Sequence, residues 1–357
     1  MAEKICSRFV VGVFLMILIR GTSAPCAAAD DPQVIKTLVG IATSLKQDGD
    51  GFVIEVNFRG AKIDDGALAH LAGLKRLKSV LLNDTGVTDT GMAAAGKIST
   101  LTNLDLRGCR ISNAGLAHLA GLKKLRALRL SGRNSATTVD DEGMAHVATL
   151  KNLVALMLDF LWISESGLAK LGRLEKLEEL TLTHTLVDDA ALAKLAQFPR
   201  LRKLRISQTQ ISDAGIAHLK QLPKLADLDL SENGQLSDAG LSALKAMRQL
   251  QRLNLWRLPV TDEGIAHLKD LQNLTWLNID NTQLTDAGLP HLSSMTKLEF
   301  LHLGSTAVTD AGLGRLESLQ ALKELKLTRT AVTAAGAQQL QEQLPKTKIQ
   351  LKYIEGQ

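Results

Sequence analysis

Aliphatic residues recur along this chain in a fixed pattern, at the first, fourth and sixth positions of a unit of 24 residues. Nine of the eleven intervals between successive units are 24 residues long, and the other two are 28 and 25 residues. A register held over about 300 residues predicts a solenoid in which each unit forms one coil and buries its apolar side against its neighbours. The first position of each unit is occupied by Val53, Leu77, Leu101, Leu125, Leu153, Leu177, Leu201, Leu225, Leu250, Leu274, Leu298 and Leu322.

Each unit divides into a short strand and a helix. In the unit that starts at Leu101, Leu104 and Leu106 alternate with polar residues, which predicts a strand with both leucines pointing inward. Ser112 is placed to cap the helix that follows, and the glycine three residues later predicts a close approach of neighbouring helices. Stacked units therefore predict a parallel sheet on the inner face and helices on the outer face. The same capping position is held by Thr88, Ser164, Ser212, Ser237, Thr261, Thr285, Thr309 and Thr333, and by Asp64, Asp140 and Asp188.

The segments at 30–52 and 346–357 flank the repeats at 53–345 and are expected to be end caps, which solenoids require. We predict a capping helix from Val34 to Leu45, with its apolar side closing the first unit, and a turn at Asp48–Gly51 before the first strand. The C-terminal segment predicts a degenerate last strand, protected from edge-to-edge pairing by positive charges. Those charges are Lys346, Lys348 and Lys352.

Residues 1–29 have the organisation of a signal peptide. Lys4 and Arg8 precede an eleven-residue apolar run from Phe9 to Ile19, and three alanines precede Asp30. Eleven residues are too few for a transmembrane helix, which needs about 20. We therefore predict an exported protein that is periplasmic, displayed on the cell surface or secreted, and that has no stable membrane span after cleavage. An uncleaved anchor is the alternative, whereas Pro25 disfavours lipidation of Cys26.

Composition narrows the function classes. Hydrophobic residues make up 45% of the chain but aromatic residues only 3%, as expected when many small cores are filled by one type of aliphatic side chain. The net charge of +5 is dispersed and forms no basic stripe, which disfavours nucleic acid as a partner. Cys109 is the one cysteine outside the predicted signal, so no disulfide framework is expected within the mature chain.

The repeat resembles that of the leucine-rich-repeat superfamily, and the match covers residues 53–354. The motif L-x-x-L-x-L-x-x-[T/C]-x-[V/I/L]-[T/S]-D-A-G-L-x-x-L is complete from Leu298 to Leu316. It is similar to repeats of exported bacterial proteins and to the cysteine-containing repeats of F-box ubiquitin-ligase adaptors, although residues 30–52 are too few for an F-box. The resemblance implies an α/β right-handed horseshoe with a concave parallel sheet, and a buried ladder residue at the ninth position. That position holds Cys109 in one unit and threonine in the others that we assign, at Thr85, Thr185, Thr209, Thr282, Thr306 and Thr330.

Most candidate chemistry is explained by the repeat. Six histidines occupy one column on the predicted outer face, where helices packed about 8–10 Å apart cannot share a metal. We expect no metal and no cofactor. The best catalytic constellation would be Asp280, His302 and Ser305 on adjacent strands, but a shallow sheet excludes water poorly, so we predict that the protein is not an enzyme. The histidine column consists of His70, His118, His146, His218, His267 and His291.

The strand positions that face the concave side are free to vary, and a binding site is expected there. One column reads Arg252, Trp276, Phe300 and Glu324, and the next reads Asn254, Asn278, His302 and Lys326. Tryptophan and arginine are enriched at binding hot spots, so this patch predicts recognition of a protein or glycan partner. A structural envelope or surface protein is the alternative, and a ubiquitin-ligase-type adaptor or a hydrolase is disfavoured. The predicted binding residues are Arg252, Trp256, Arg257, Trp276, Asn278, Phe300 and His302.

A secondary patch follows the four-residue insertion at 131–138, the one sizeable break in the period. Insertions in repeat proteins map to loops, often on the binding side. The patch consists of Met157, Asp159, Phe160 and Trp162.

Overall fold

The structure is a computed structural model that describes residues 29–352. Its strands form one open sheet in which each strand pairs with its neighbours in the sequence, from the first strand to the last. The first two strands are antiparallel and all the later pairs are parallel. The predicted leucine-rich-repeat solenoid is confirmed. The predicted signal peptide, apart from Ala29, lies outside the described residues.

The elements are short. The strands are β1 (Ser44–Gln47), β2 (Val53–Asn57), β3 (Ser79–Leu81), β4 (Asn103–Asp105), β5 (Ala127–Ser131), β6 (Ala155–Asp159), β7 (Glu179–Thr181), β8 (Lys203–Arg205), β9 (Asp227–Asp229), β10 (Arg252–Asn254), β11 (Trp276–Asn278), β12 (Phe300–His302), β13 (Glu324–Lys326) and β14 (Lys348–Gln350). The α-helices are α1 (Pro32–Ile41), α2 (Asp89–Ala95), α3 (Asn113–Ala117), α4 (Met144–Val147), α5 (Glu165–Lys170), α6 (Asp189–Ala193), α7 (Asp213–Ile216), α8 (Asp238–Leu241), α9 (Asp262–Ala266) and α10 (Ala334–Gln343). The 3₁₀ helices are Asp65–Leu71, His118–Gly121, Leu171–Arg173, Lys194–Gln197, Ala217–Gln221, Ser242–Ala246, Leu289–Leu292 and Asp310–Leu316. Among the described residues, no helix combines the length and the apolar character that a bilayer span requires.

One hydrophobic core runs the length of the solenoid. The strand leucines of each unit, such as Leu104 and Leu106, are fully buried, as are the leucines at helical spacing behind them. Successive units contribute equivalent side chains, so each coil buries the apolar side of the next. The helices lie on the convex side, where the histidine column is exposed or half-exposed, as predicted.

A buried ladder of side chains satisfies the backbone of the turn that follows each strand. The Thr85 hydroxyl donates a hydrogen bond to the Leu82 carbonyl oxygen over 2.7 Å, and five other threonines repeat this bond. The Cys109 thiol donates to the same Leu82 oxygen over 3.1 Å, and burial raises its pKa, so it is a structural residue. A second exception escaped the sequence analysis. Asn233 donates to the carbonyl oxygens of Ile206 and Leu230, over 2.8 Å each, and thereby joins two units.

The predicted helix caps are confirmed except at Asp140 and Thr285, where the helix begins four residues later, and successive units are joined at the capping positions. The Ser212 hydroxyl accepts the Ala214 N–H, as a cap should. It also donates to Asp189 Oδ2 of the preceding unit over 2.5 Å, while Asp189 Oδ1 accepts the Ser212 N–H over 2.8 Å. Within residues 29–352, this pair of bonds recurs at nine junctions between units. The aspartate of the Thr-Asp-Ala-Gly runs therefore connects successive coils.

The predicted N-terminal helix is too long. It ends at Ile41, and Ser44–Gln47 form β1, which pairs antiparallel with β2. The physical reason is that β2 would otherwise present unpaired N–H and carbonyl groups at the edge of the sheet, and a helix cannot pair with them. The turn at Asp48–Gly51 consequently connects β1 to β2. Its two carboxylates bind the Arg76 guanidinium over 2.9 and 2.8 Å.

Polar and charged side chains occupy both ends of the solenoid. Asp30, the first residue after the predicted signal, is buried, and its carboxylate accepts the N–H groups of Val53 (2.7 Å) and Lys75 (3.1 Å). At the other end, Lys346, Lys348 and Lys352 are exposed on and around β14. Charged side chains of this kind discourage pairing with another chain.

Candidate functional site

A row of stacked side chains crosses four strands on the concave face. The sheet register places Arg252, Trp276 and Phe300 side by side, as the sequence pattern predicted. The Arg252 guanidinium lies 4.5 Å from the centre of the Trp276 ring. The Trp276 and Phe300 rings stack with centres 5.0 Å apart and an angle of 6° between their planes, and Lys326 Nζ lies 5.6 Å from the Phe300 ring. We call Arg252, Trp276, Phe300 and Lys326 the concave aromatic row.

The stacking leaves Trp276 without a free ring face. Because β10 and β12 flank β11, Arg252 covers one face of the indole and Phe300 covers the other. Trp276 and Phe300 are each half-buried, so part of each ring remains open to the concave side. The row is therefore a pre-ordered amphipathic surface rather than a set of separate platforms.

Charged pairs continue the same column toward the N-terminus. Lys203 binds Glu179 over 2.7 Å, and Arg252 Nε lies 3.6 Å from Asp227 Oδ2. Burial raises the pKa of Asp227, although Arg252 opposes this shift. The concave face thus changes from alternating charges to aromatic rings at Arg252, which belongs to both regions.

His302 extends the row to the neighbouring column. Its ring contacts Phe300 edge-on, with ring centres 6.4 Å apart and planes at 72°. Burial lowers its pKa, so His302 is mainly neutral at neutral pH, while Asp280 opposes the shift. Beside it, Asn278 Oδ1 accepts the Asp280 N–H over 3.0 Å.

Two of the predicted concave residues lie beyond the end of β10. Arg257 has a left-handed backbone with φ of 57°, and its guanidinium binds Glu232 over 3.2 Å and lies 5.4 Å from the Trp256 ring. This pair is at the edge where the strands end. The stacking contacts that join the concave aromatic row do not include it.

The secondary patch divides in the same way. Met157 is half-buried on β6, where it pairs with Thr181 of β7. Phe160 and Trp162 follow the strand and lie at the sheet edge, next to the insertion. Asp159 is the last residue of β6 and lies between Met157 and these edge residues. Burial raises the pKa of Asp159, whereas the hydrogen bond that it accepts from the Thr183 N–H over 2.9 Å opposes this shift.

An open surface pocket of about 470 Å³ surrounds these edge residues. Phe160 stacks on His184 with ring centres 5.0 Å apart, and the Arg133 guanidinium lies 5.6 Å from the Phe160 ring. Trp162 is 72% exposed and Leu186 is 42% exposed. A second, more polar pocket of about 380 Å³ adjoins the first and shares Arg133 and Phe160 with it. We call the two pockets together the edge groove.

Sequence reasoning missed Arg133, His184 and Leu186 as members of this site. The repeat numbering contained the signal, because Phe160, His184 and Gln208 occupy the eighth position of successive units. Trp162, Leu186 and Gln210 likewise occupy the tenth position of those units. Equivalent positions in neighbouring coils lie side by side, so the two columns form adjacent walls of the groove.

The candidate catalytic residues are only partly brought together. Asp280 Oδ1, His302 Nε2 and Thr328 Oγ1 surround Gly304, each 2.8 Å from the place where a Cβ on that glycine would stand. The hydroxyl group beside Asp280 and His302 at this glycine is therefore that of Thr328, and the predicted Ser305 is not among the three nearest groups. Within residues 29–352, no group of three or more His, Cys, Asp or Glu side chains has the arrangement of a metal site.

Comparisons with known proteins agree with this architecture. A family model described as a leucine-rich repeat region matches residues 135–311, and a second leucine-rich-repeat model matches residues 97–120. An internalin from Listeria monocytogenes superposes with a TM-score of 0.62 at 21% identity, over 90% of this chain and 94% of its own. No curated protein matches the sequence.

Two further solved structures align with a smaller share of this chain. A second internalin from Listeria monocytogenes has a TM-score of 0.44 at 22% identity, over 67% of this chain and 84% of its own. A leucine-rich-repeat protein from Leptospira interrogans has a TM-score of 0.42 at 18% identity, over 81% of this chain and 88% of its own.

Proposed function

Because this chain belongs to the leucine-rich-repeat superfamily, we propose that it is a non-catalytic binding module that recognises a protein partner on its concave face. The observation that carries the proposal is the concave aromatic row, in which arginine, tryptophan and phenylalanine side chains stack across adjacent strands. Aromatic and arginine side chains dominate the binding energy of protein interfaces. The stack is already ordered, which reduces the entropy cost of immobilising these side chains on binding.

A protein suits this surface better than a glycan does. A sugar ring binds an aromatic side chain by laying its apolar face on the ring, and both faces of Trp276 are occupied by Arg252 and Phe300. What the row offers is ring edges beside charged groups, including Asp227, Lys326 and Arg252 itself. A protein surface with apolar side chains ringed by opposite charges complements this arrangement.

A hydrolytic role is disfavoured by the same geometry. The cluster formed by Asp280, His302 and Thr328 lies on an open sheet. Efficient catalysis requires exclusion of water from the reacting groups and preorganised donors around the developing charge. An open concave surface meets a large partner well but encloses a small substrate poorly.

The partner is tested best by placing a probe inside the row. A photo-crosslinking amino acid at Asn278 is expected to capture a discrete protein from the envelope of the native organism. Trp276→Ala with Phe300→Ala should reduce that capture at least tenfold, because truncating hot-spot aromatics costs about 2 kcal/mol or more each. The matched control is His118→Ala on the convex helices, which should leave capture unchanged.

Two results would contradict the proposal. Equal capture by the double variant, with an unchanged circular-dichroism melt, would show that the row is not the binding surface. Equal capture by a crosslinker placed at His118 would show that the association is nonspecific.

We also propose that the protein is exported to the envelope of a bacterium and that its signal peptide is cleaved after Ala29. The first residue after this point, Asp30, is fixed to the first repeat through the N–H groups of Val53 and Lys75, which supports a fold that begins there. Cell fractionation and intact-mass measurement of the purified native product test this prediction. The expected product begins at Asp30 and is found in the periplasmic, surface or secreted fraction, whereas a full-length cytoplasmic product would contradict it.

A further inference from the structure

The edge groove contains the most exposed aromatic side chain that the structure describes, and the proposed concave site makes no use of it. Trp162 occupies the tenth position of its unit, in the loop that follows β6 rather than on the sheet itself. With 72% of its surface accessible, its indole offers a free ring face. In this respect it is the opposite of Trp276, whose two faces are covered.

We propose that the edge groove is a glycan-binding site in which Trp162 stacks on the apolar face of a sugar ring. The groove combines an aromatic pocket of about 470 Å³ with a polar pocket of about 380 Å³. Each volume lies in the range of roughly 300–1,000 Å³ that is typical of small-ligand sites. The two pockets meet at Arg133 and Phe160, so a glycan of more than one ring can extend from one into the other.

The polar groups of the groove match the hydroxyl groups of a sugar. Gln208 and Gln210 line the aromatic pocket, and no carboxylate does. The polar pocket is lined by side chains of Asp84, Arg107 and Asp159. Amide, carboxylate and guanidinium groups are planar and form paired hydrogen bonds, and together they supply both donors and acceptors. Sugar hydroxyls need both kinds of partner, whereas an apolar peptide side chain needs neither.

The side chain of Phe160, rather than its backbone, distinguishes this turn from those of the other units. Its φ is 59°, the left-handed conformation that the repeats share at this position, where Gly60 and Gly108 stand in two other units. The turn can therefore be made by glycine. Phenylalanine at this point stacks on His184 and carries Arg133 above it, which forms the surface that the two pockets share.

A second protein interface is the less favoured occupant because the exposed apolar area is small. In the part of the chain that the structure describes, the groove contributes two exposed large apolar side chains, Trp162 and Leu186. A typical stable protein interface buries about 800 Å² on each partner around an apolar centre. One indole is too small for such a centre but is large enough to cover one face of a sugar ring.

The test uses the purified full chain and an array of neutral and uronic-acid oligosaccharides, with calorimetric titration of the glycans that bind. Trp162→Ala should weaken binding at least tenfold, and Arg133→Ala should weaken it as well, with a larger effect on uronic acids. The matched control is Trp276→Ala, which leaves the edge groove intact and should bind as the wild type does. If the concave aromatic row proves not to bind a protein partner, the glycan affinities measured here would therefore be unaffected.

Three outcomes would overturn the proposal. One is the absence of binding to every oligosaccharide of the array at millimolar concentration. Another is equal affinity of the wild type and Trp162→Ala while both retain the same circular-dichroism melt. The third is capture of an apolar peptide at Trp162, detected by quenching of tryptophan fluorescence that Trp162→Ala abolishes, with no glycan competing for it.

Discussion

At the scale of single residues, the glycine of each Thr-Asp-Ala-Gly run is explained by the aspartate of the preceding unit. A Cβ on Gly215 would lie 2.9 Å from Asp189 Cγ and 3.1 Å from Asp189 Cα. The space beside the helix start is thus filled by a carboxylate that binds the next cap. One unit departs from this arrangement in a consistent way: Ala191 replaces the glycine where the preceding unit has Glu165 in place of aspartate.

We predict that Gly215→Ala destabilises the protein by about 1–3 kcal/mol, because the added methyl group overpacks against a hydrogen-bonded carboxylate. The gain in helix propensity, at most about 1 kcal/mol, acts in the opposite direction and is smaller than the upper part of that range. Urea unfolding measures the change. The double variant Asp189→Glu with Gly215→Ala reproduces the natural Glu165–Ala191 pair and should recover part of the loss. A single variant as stable as the wild type would contradict the close-contact explanation.

The sequence predicted which residues cap the helices but not what the following aspartates bind. Ser212 is recognisable as a cap from its position before a helical pattern, since capping is a local interaction. The bond from Ser212 to Asp189 joins residues 23 apart, and it depends on how two coils pack. The predicted close approach of neighbouring helices at the glycines is confirmed, and the group that comes closest to Gly215 belongs to Asp189, the first residue of α6.

At the scale of elements, the turn that leads into α4 differs from the nine junctions described above, because Asp140 stands where those junctions have serine or threonine. Asp140 would face another aspartate if the preceding unit followed the common pattern, but that unit has Asn113 instead. Asn113 Nδ2 donates to Asp140 Oδ1 over 2.7 Å, and Asn113 Oδ1 accepts the Asp140 N–H over 3.2 Å. The amide therefore preserves the two-bond connection without placing two negative charges together.

This pair predicts a pH-dependent contribution to stability. The Asn113 hydrogen bond is the main reason that the pKa of Asp140 lies below its ordinary value. A carboxyl group whose pKa is lower in the folded state contributes stability above its unfolded pKa, and this contribution is lost as the pH falls through the folded value. Asn113→Ala should therefore reduce the urea midpoint at neutral pH, and the difference from the wild type should shrink in acid.

The control for this prediction is Asn113→Asp, which places two carboxylates together. It should be less stable than the wild type at neutral pH and recover as acid protonates one of the pair. A difference between the wild type and Asn113→Ala that stays constant from neutral to acidic pH would show that the pair has no ionic component.

The N-terminal cap shows where prediction at the element scale failed. The apolar spacing of residues 34–45 fits a helix, and its first part is one, ending at Ile41. Leu45 keeps its contact with the core, but from β1 rather than from a helix. The apolar pattern reports burial alone, whereas β1 exists because the open edge of β2 requires hydrogen-bond partners.

At the scale of the whole molecule, the sequence located both candidate surfaces but not their properties. The period placed Arg252, Trp276 and Phe300 in one column, because a fixed repeat fixes which side chains are neighbours. It did not reveal that the Trp276 ring would be covered on both faces while Trp162 stayed exposed. Ring stacking and exposure depend on side-chain conformations and on the path of the loop after the insertion, which the repeat pattern does not encode.

The two surfaces lie in different units of a structure whose contacts are made between neighbouring coils. The concave aromatic row belongs to the units that start at Leu250, Leu274, Leu298 and Leu322. The edge groove belongs to the units that start between Leu77 and Leu201. In a solenoid, stability is close to a sum of the contributions of single repeats and of their nearest-neighbour interfaces, so a change in one unit is felt mainly by the adjacent ones.

We predict that the chain tolerates deletion of residues 77–100, which form one period of 24 residues. The deletion brings Asp65 next to Ser112, and these residues are equivalent to the natural pairs that join successive units. The shortened protein should fold with lower stability and retain partner capture through the concave aromatic row, while the polar end of the edge groove loses Asn83 and Asp84. Circular dichroism, urea unfolding and crosslinking at Asn278 measure these effects.

Deletion of residues 77–88 is the control, because half a period moves strand residues into helix positions and should prevent folding. If both deletions abolish folding, or if the loss of residues 77–100 also abolishes capture at the distant row, the units are not independent and the separation of the two surfaces is wrong.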